Sequence, residues 1–210
     1  EMVDNPSVLP RKLPRQARSR QTVDKLLDAA EILLIRQGLL AFNTNAIAMA
    51  AGVDIASLYQ YFPGKESIAF ALLERRCLAL QARCEVWRIE AESAPLAELL
   101  EHVVAALYPP DKATWSIPDL QPMIESIPEL RELTDGLLDD LAMLWADVLE
   151  NRGAYWPKPQ LADFCRLFMV MLMAGQLYSS RHEHQDILQE WLRDTALSML
   201  KTCLPTGAKL

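Results

Sequence analysis

Glycine at position 52 and aspartate at position 54 constrain this chain more than any other feature, because they divide an otherwise helical stretch into two very short pieces. Before them, "NTNAIAMAAG" places Thr44 where an N-cap belongs, Ile47 and Ala48 at the first inward positions, and alanines up to Ala51 that let another helix approach closely. Gly52 stops that helix after barely two turns. Asp54 then caps a second short helix whose inward residues are Leu58 and Phe62, with Val53 packing beneath the turn. Ile55, Ala56, Tyr59, Gln60 and Tyr61 are left facing away from the core, wholly or in part. Tyr59 and Tyr61 are two apart and point to different sides of a helix, so at least one phenol ring is offered to something outside. Pro63 and Gly64 end the segment, since the residue before a proline disfavours helical geometry.

The flanking sequence is helical as well. From Thr22 to Gln37, Val23, Leu26, Leu27, Ala30, Leu33 and Leu34 recur at three- and four-residue steps, with Thr22 able to cap the start and Gly38 fitting the left-handed residue that ends it. Lys65 and Glu66 open a helix nearly thirty residues long, and Pro95 to Leu107 form an amphipathic one. Four prolines make the stretch from Tyr108 to Pro122 a loop with at most a turn or two of helix. "SIPE" at Ser126 to Glu129 has the form of a capping box opening a helix to about Asn151. The last two helices run roughly from Pro159 to Arg181 and from Asp186 to Leu204. With seven glycines, few β-branched runs and 51% apolar residues, the chain is expected to be all-α with a substantial core.

Two short helices joined by a glycine-containing turn, the second of them exposed, describe a helix-turn-helix, in which the second helix enters the DNA major groove. Charge agrees with that reading. The protein carries a net −7, yet residues 11 to 25, "RKLPRQARSRQTVDK", hold six basic residues and one acid, so only one end of the molecule is built to meet a polyanion. Tyrosine hydroxyls and Lys65 suit phosphate oxygens, Ile55 and Ala56 suit thymine methyls, and Gln60 suits adenine.

The segment "LLDAAEILLIRQGLLAFNTNAIAMAAGVDIASLYQYFPGKESI", residues 26 to 68, resembles the TetR family of transcriptional regulators in the order and spacing of its T-x-x-I-A, A-G-V and L-Y-x-Y-F elements. Ala56, where glycine or proline is frequent, and Met49-Ala50, in place of a charged pair, depart from the family pattern. The resemblance implies a basic arm at 1–21, a three-helix DNA-binding domain at 22–68 whose connecting helix continues to about 92, and a larger helical ligand-binding and dimerisation domain at 69–210. It implies DNA contacts from Thr44, Ile55, Ala56, Ser57, Tyr59, Gln60, Tyr61 and Lys65, joined by Arg11, Arg15, Arg18 and Arg20 of the arm. It further implies a homodimer through the last two helices, a palindromic double-stranded operator, and a small, largely apolar effector that releases a repressor. The helix from Pro159, apolar nearly all round, needs the cover such a dimer provides. The competing expectation is a helical small-molecule-binding or protein-interaction module that no longer binds DNA.

Aromatic and sulfur side chains in the second domain, Trp87, Tyr108, Trp115, Met123, Trp145, Met169 and Met173, are candidates to line a ligand cavity, with His102, Arg131 or Arg166 as anchors for an anionic group. Cys77, Cys84, Cys165 and Cys203 lack CxxC spacing and read as reduced core thiols. His182 and His184 sit two apart at a helix break without a supporting ligand set, so no metal is expected. No phosphate loop, nucleophile elbow or zinc-protease motif is present, and neither an enzyme nor a cofactor is expected. No apolar run approaches the ~20 residues of a membrane span and residues 1 to 20 lack an apolar signal centre, which gives the expectation of a cytoplasmic protein without a membrane partner.

Overall fold

The computed structural model describes residues 8–11, 16–109, 115–179 and 185–206. Among these residues there are nine α-helices and no strand: α1 Ala17–Gln37, α2 Thr44–Ala51, α3 Ile55–Tyr61, α4 Lys65–Glu90, α5 Leu96–Leu107, α6 Gln121–Ser126, α7 Pro128–Asn151, α8 Lys158–Ser179 and α9 Gln185–Lys201. The all-α expectation holds. Contacts divide the chain into two units, Glu1–Leu78 with Pro109–Leu133, and Ala79–Tyr108 with Thr134–Leu210. The covalent chain crosses between them three times, within α4, between Tyr108 and Pro109, and within α7.

The first unit is built on α1, whose buried stripe is Leu26, Leu27, Ala29, Ala30, Leu33 and Leu34; its spacing marked all of these but Ala29, and Val23, also expected inward, is half-buried. Phe42, Ile47, Ala48, Leu58, Phe62, Ile68 and Leu72 complete that core at 3% exposure or less. Each such Leu, Ile or Phe contributes about 1.5–3 kcal/mol relative to an exposed side chain. Arg75 on α4 bonds Asp28 at 2.8 Å and Glu31 at 2.7 Å, tying α4 to one face of α1. All three side chains are partly exposed, so this pairing adds at most about 1 kcal/mol. Trp115, Ile117, Leu120 and Met123, which follow the proline-rich stretch, are also buried in this unit.

Three helix starts differ from their sequence expectations. Helix α1 begins at Ala17, not Thr22, and the Thr22 hydroxyl donates to the Arg18 carbonyl at 3.1 Å inside the helix. Helix α2 is capped by Asn43, whose Oδ1 accepts the Ala46 N–H at 2.9 Å, and Thr44 is its first helical residue. The Ser126 hydroxyl donates back to the Pro122 carbonyl at 2.9 Å, closing α6 and not opening α7. The reciprocal cap falls ten residues earlier, where the backbone N–H of Ser116 donates to Asp119 at 2.7 Å.

The second unit packs the end of α4 with α5, most of α7, α8 and α9. Trp145 and Phe168 meet edge to face at 5.6 Å between ring centroids, joining α7 to α8, and both are buried. Arg152 donates to the Ala91 carbonyl at 2.8 Å and also to that of Ala94, satisfying carbonyls beyond the end of α4. At Gly175 on α8 an added Cβ would stand 2.5 Å from Leu192 Cδ1 on α9, so these helices approach as closely as a missing side chain allows. Within Lys158–Tyr178 of α8 an 18-residue window reaches a mean hydropathy of 1.3, so by length and composition alone this helix could cross a membrane. Core helices of helical bundles share that length and composition. The helix carries Lys158 and Arg166, bonded at 2.8 Å to Asp147 and Asp139 of α7, which makes it a member of this bundle.

Candidate nucleic-acid interface

Helices α2 and α3 are held at their hinge by backbone bonds. Gly52 adopts φ 63° and ψ 32°, the left-handed conformation that glycine reaches without strain, and its N–H points at the carbonyls of Ala48 and Met49. The Val53 N–H donates to the Ala48 carbonyl at 3.0 Å, and Asp54 Oδ1 accepts the Ala56 N–H at 2.8 Å to start α3. Beyond α3, the Ser67 hydroxyl donates to the Gly64 carbonyl at 2.8 Å and accepts the Gly64 N–H at 3.3 Å, fixing the turn that leads into α4. Ser67 itself is buried.

This frame sorts the side chains of α3. Leu58 is fully buried and Phe62 is 1% exposed, whereas Tyr59 is 41% exposed. Ala56, Gln60 and Lys65 are exposed, and Thr44, Ile55, Ser57 and Tyr61 are half-buried. The phenol rings and the amide are therefore not withdrawn into the core. The Tyr59 and Thr44 hydroxyls lie 3.2 Å apart and bond each other across α2 and α3. One proton is used within that pair, so together the two hydroxyls present a single O–H to an outside acceptor such as a phosphate oxygen.

The basic residues do not form a single free arm. Arg11 docks on the end of α3, its N–H donating to the Tyr61 carbonyl at 2.8 Å and its guanidinium reaching the Tyr59 carbonyl at 3.5 Å. Val8, three residues before it, is buried. Arg18 and Arg20 are exposed in the opening turns of α1. The positive end of the helix dipole disfavours cations there, and a nearby polyanion offsets that cost. Lys12 and Arg15 lie outside the described residues. So do His182 and His184.

The residues expected to line a ligand cavity are dispersed. Trp115 and Met123 belong to the first unit, and Trp87, His102, Tyr108, Trp145, Met169 and Met173 to the second. Trp87, Trp145 and Met169 are fully packed core side chains at 1% exposure or less, while His102 is exposed and paired with Glu90. Tyr108 is half-buried, and burial pushes its phenol pKa up. The conceivable anionic anchors are committed: Arg166 to Asp139, and Arg131 to the Glu125 carbonyl at 2.5 Å. A cavity of about 440 Å³ does lie in the second unit, among α5, α8 and α9, and none of these residues lines it. Its walls come from three helices distant in sequence, which no local spacing reveals.

The four cysteines are buried free thiols, as their spacing indicated. Burial raises Cys77 to about 11 and Cys165 to about 12, which keeps both protonated and unreactive at neutral pH.

The sequence pattern of bacterial regulatory proteins of the tetR family matches residues 26–72, the span from within α1 to the first turns of α4. An uncharacterized HTH-type transcriptional regulator of Mycobacterium tuberculosis is 32% identical over 90 residues, 43% of this chain and 44% of that protein. The matched stretch thus spans under half the length of that relative. Two solved structures share the fold. One is a putative TetR-family transcriptional regulator from Mesorhizobium loti (TM-score 0.67, 16% identity, 89% of this chain and 98% of that one). The other is a TetR-family regulator from Streptomyces coelicolor (TM-score 0.61, 21% identity, 87% and 99%).

Proposed function

We propose that this chain, which carries a tetR-family DNA-binding domain at residues 26–72, is a ligand-responsive transcriptional repressor that binds a palindromic operator as a homodimer. The family it matches consists of regulators, not enzymes. The observation that supports DNA reading most directly is the division of α3 into a buried edge, Leu58 with Phe62, and an outward face bearing Ala56, Tyr59 and Gln60. On this reading α3 lies in the major groove, with Ala56, Ile55 and Gln60 towards base edges and Ser57, Tyr61, Lys65 and the Thr44–Tyr59 pair towards phosphates. Arg11, Arg18 and Arg20 add contacts to the backbone.

Two reading heads bound to a palindrome sit about one helical turn apart, ~34–36 Å, so the two-fold axis of the protein must match that of the DNA. Helices α8 and α9 offer a face for that dimer: Leu167 and Val170 of α8 and Ile187 and Trp191 of α9 are 46–63% exposed. Exposed apolar area of this kind is costly in water and is covered by a second copy. An effector bound in the second unit alters DNA affinity through α4, which runs in both units. The coupling is reciprocal: bound operator weakens the effector by the same factor. A cytoplasmic location follows from this role.

Selection of binding sequences from a random DNA pool by the purified protein tests the proposal. The expected result is a two-fold-symmetric consensus with half-sites one turn apart. Recovery of no enriched sequence, with retention on heparin absent at low salt, rejects it in favour of a helical module that does not bind DNA.

A further inference from the structure

The cavity of about 440 Å³ among α5, α8 and α9 has a floor and a rim of different chemistry. Leu100 and Val104 from α5, Leu172 from α8 and Leu192 from α9 give apolar walls. Leu100 and Leu172 are at most 2% exposed, so the floor is continuous with the core of the second unit. The rim holds three carboxylates, Glu101, Asp186 and Glu190, against one guanidinium, Arg193. That guanidinium is already shared: Arg193 lies 3.3 Å from Glu101 and 3.9 Å from Asp194. Among the described residues no other Lys or Arg lines the cavity.

The register of α9 keeps this site apart from the face assigned to the dimer. Residues 186, 189, 190 and 193 share the cavity side, with 189 and 190 three and four positions after 186 and 193 four and three positions after them. Ile187 and Trp191, which are exposed, lie one position further round. Leu192, Thr195, Ala196 and Met199 meet α8. A molecule can therefore occupy the cavity without displacing a second copy.

We propose that this cavity binds a lipophilic cation, an organic ammonium compound with a compact apolar body. The body replaces water against Leu100, Val104, Leu172 and Leu192, and the ammonium group donates to the Asp186 and Glu190 carboxylates. An anion in the same place meets three like charges and finds its one partner engaged. Gln176 and Gln189 also line the cavity, so a neutral molecule gains the floor and at most a hydrogen bond to an amide, without charge pairing. That the bound cation acts as the effector rests on the regulatory reading above.

Three probes with one body and three charges test this by calorimetry on the full chain: phenylbutylamine, protonated at neutral pH, phenylbutanol and phenylbutyrate. The expected order is amine, then alcohol, then acid, with the amine about ten-fold tighter than the alcohol, the size of one charge-assisted hydrogen bond. Glu190→Gln and Asp186→Asn, both at exposed positions, should each reduce the amine's advantage several-fold and leave the alcohol unchanged. Val104→Trp fills the cavity and should abolish binding of both amine and alcohol while thermal unfolding stays cooperative. An equal or reversed order, an advantage insensitive to Glu190→Gln and Asp186→Asn, or no binding by any probe overturns the proposal. DNA binding measured on the same preparations separates the two readings. Intact DNA binding without preference for the amine sinks this inference alone, and amine binding by a protein that retains no DNA sinks the regulatory reading alone.

Discussion

At the scale of single residues, the proposed interface sorts into groups that position and groups that read. Lys65 is exposed at the start of α4. Lys65→Ala should weaken binding to every DNA sequence and reduce the slope of log K against log salt by about 0.9, the contribution of one phosphate contact. Gln60→Ala should instead change the preferred base at one position of the half-site, by about 1–3 kcal/mol of discrimination, in a competition assay with point-mutated operators. Asp54 has a different role, since its carboxylate caps α3 at 2.8 Å. Asp54→Ala should lower stability by about 1 kcal/mol in a urea titration. Local chemistry of this kind was legible in the sequence wherever a single side chain bonds its own helix, as at Asp54. It was misread at Thr44 because Asn43 beside it is an equally good cap and takes the position. It was misread at Ser126 because the hydroxyl is within reach of the carbonyls behind it, at Pro122 and Met123.

At the scale of elements, three- and four-residue spacing specified most helices to within a few residues, because each buries one stripe. The inward positions of α3, and those of α1 apart from Val23 and Ala29, were right for that reason. What spacing does not encode is which helix meets which. The docking of Arg11 on the end of α3 spans about fifty residues of chain, and the α5–α8–α9 cavity draws on segments some ninety residues apart. Gly175 belongs to the same class: a glycine inside an apolar helix reads as a weakness of about 1 kcal/mol until its neighbour is known. That neighbour is Leu192, 2.5 Å from where a Cβ would stand. Gly175→Ala therefore gains helix propensity yet forces Leu192 from its place. The overpacking should dominate, lowering stability by about 1–3 kcal/mol in thermal or urea unfolding. A variant as stable as the parent means that α8 and α9 separate without cost.

At the scale of the whole molecule, charge and apolar surface are spread unevenly. The chain carries net −7, and a protein of that charge is repelled by DNA at long range, so on the proposed reading association depends on its basic N-terminal segment and weakens as salt rises. One copy of a recognition helix supplies a handful of phosphate contacts, and doubling the heads on a palindrome multiplies affinity by the effective concentration of the second head. On the proposed reading the dimer face controls DNA affinity without touching DNA. Trp191, 63% exposed on α9, is the large side chain on that face whose replacement disturbs the parent fold least. Trp191→Glu places a charge from each copy in the proposed interface, where like charges near a two-fold axis repel in a desolvated setting. Sedimentation at micromolar concentration should give a dimer for the parent chain and a monomer for the variant, with helical content unchanged by circular dichroism. Affinity for a single half-site should remain and affinity for the full palindrome should fall at least ten-fold, towards the half-site value. A variant that still sediments as a dimer and keeps full palindrome affinity would place the contact between copies elsewhere than on α8 and α9.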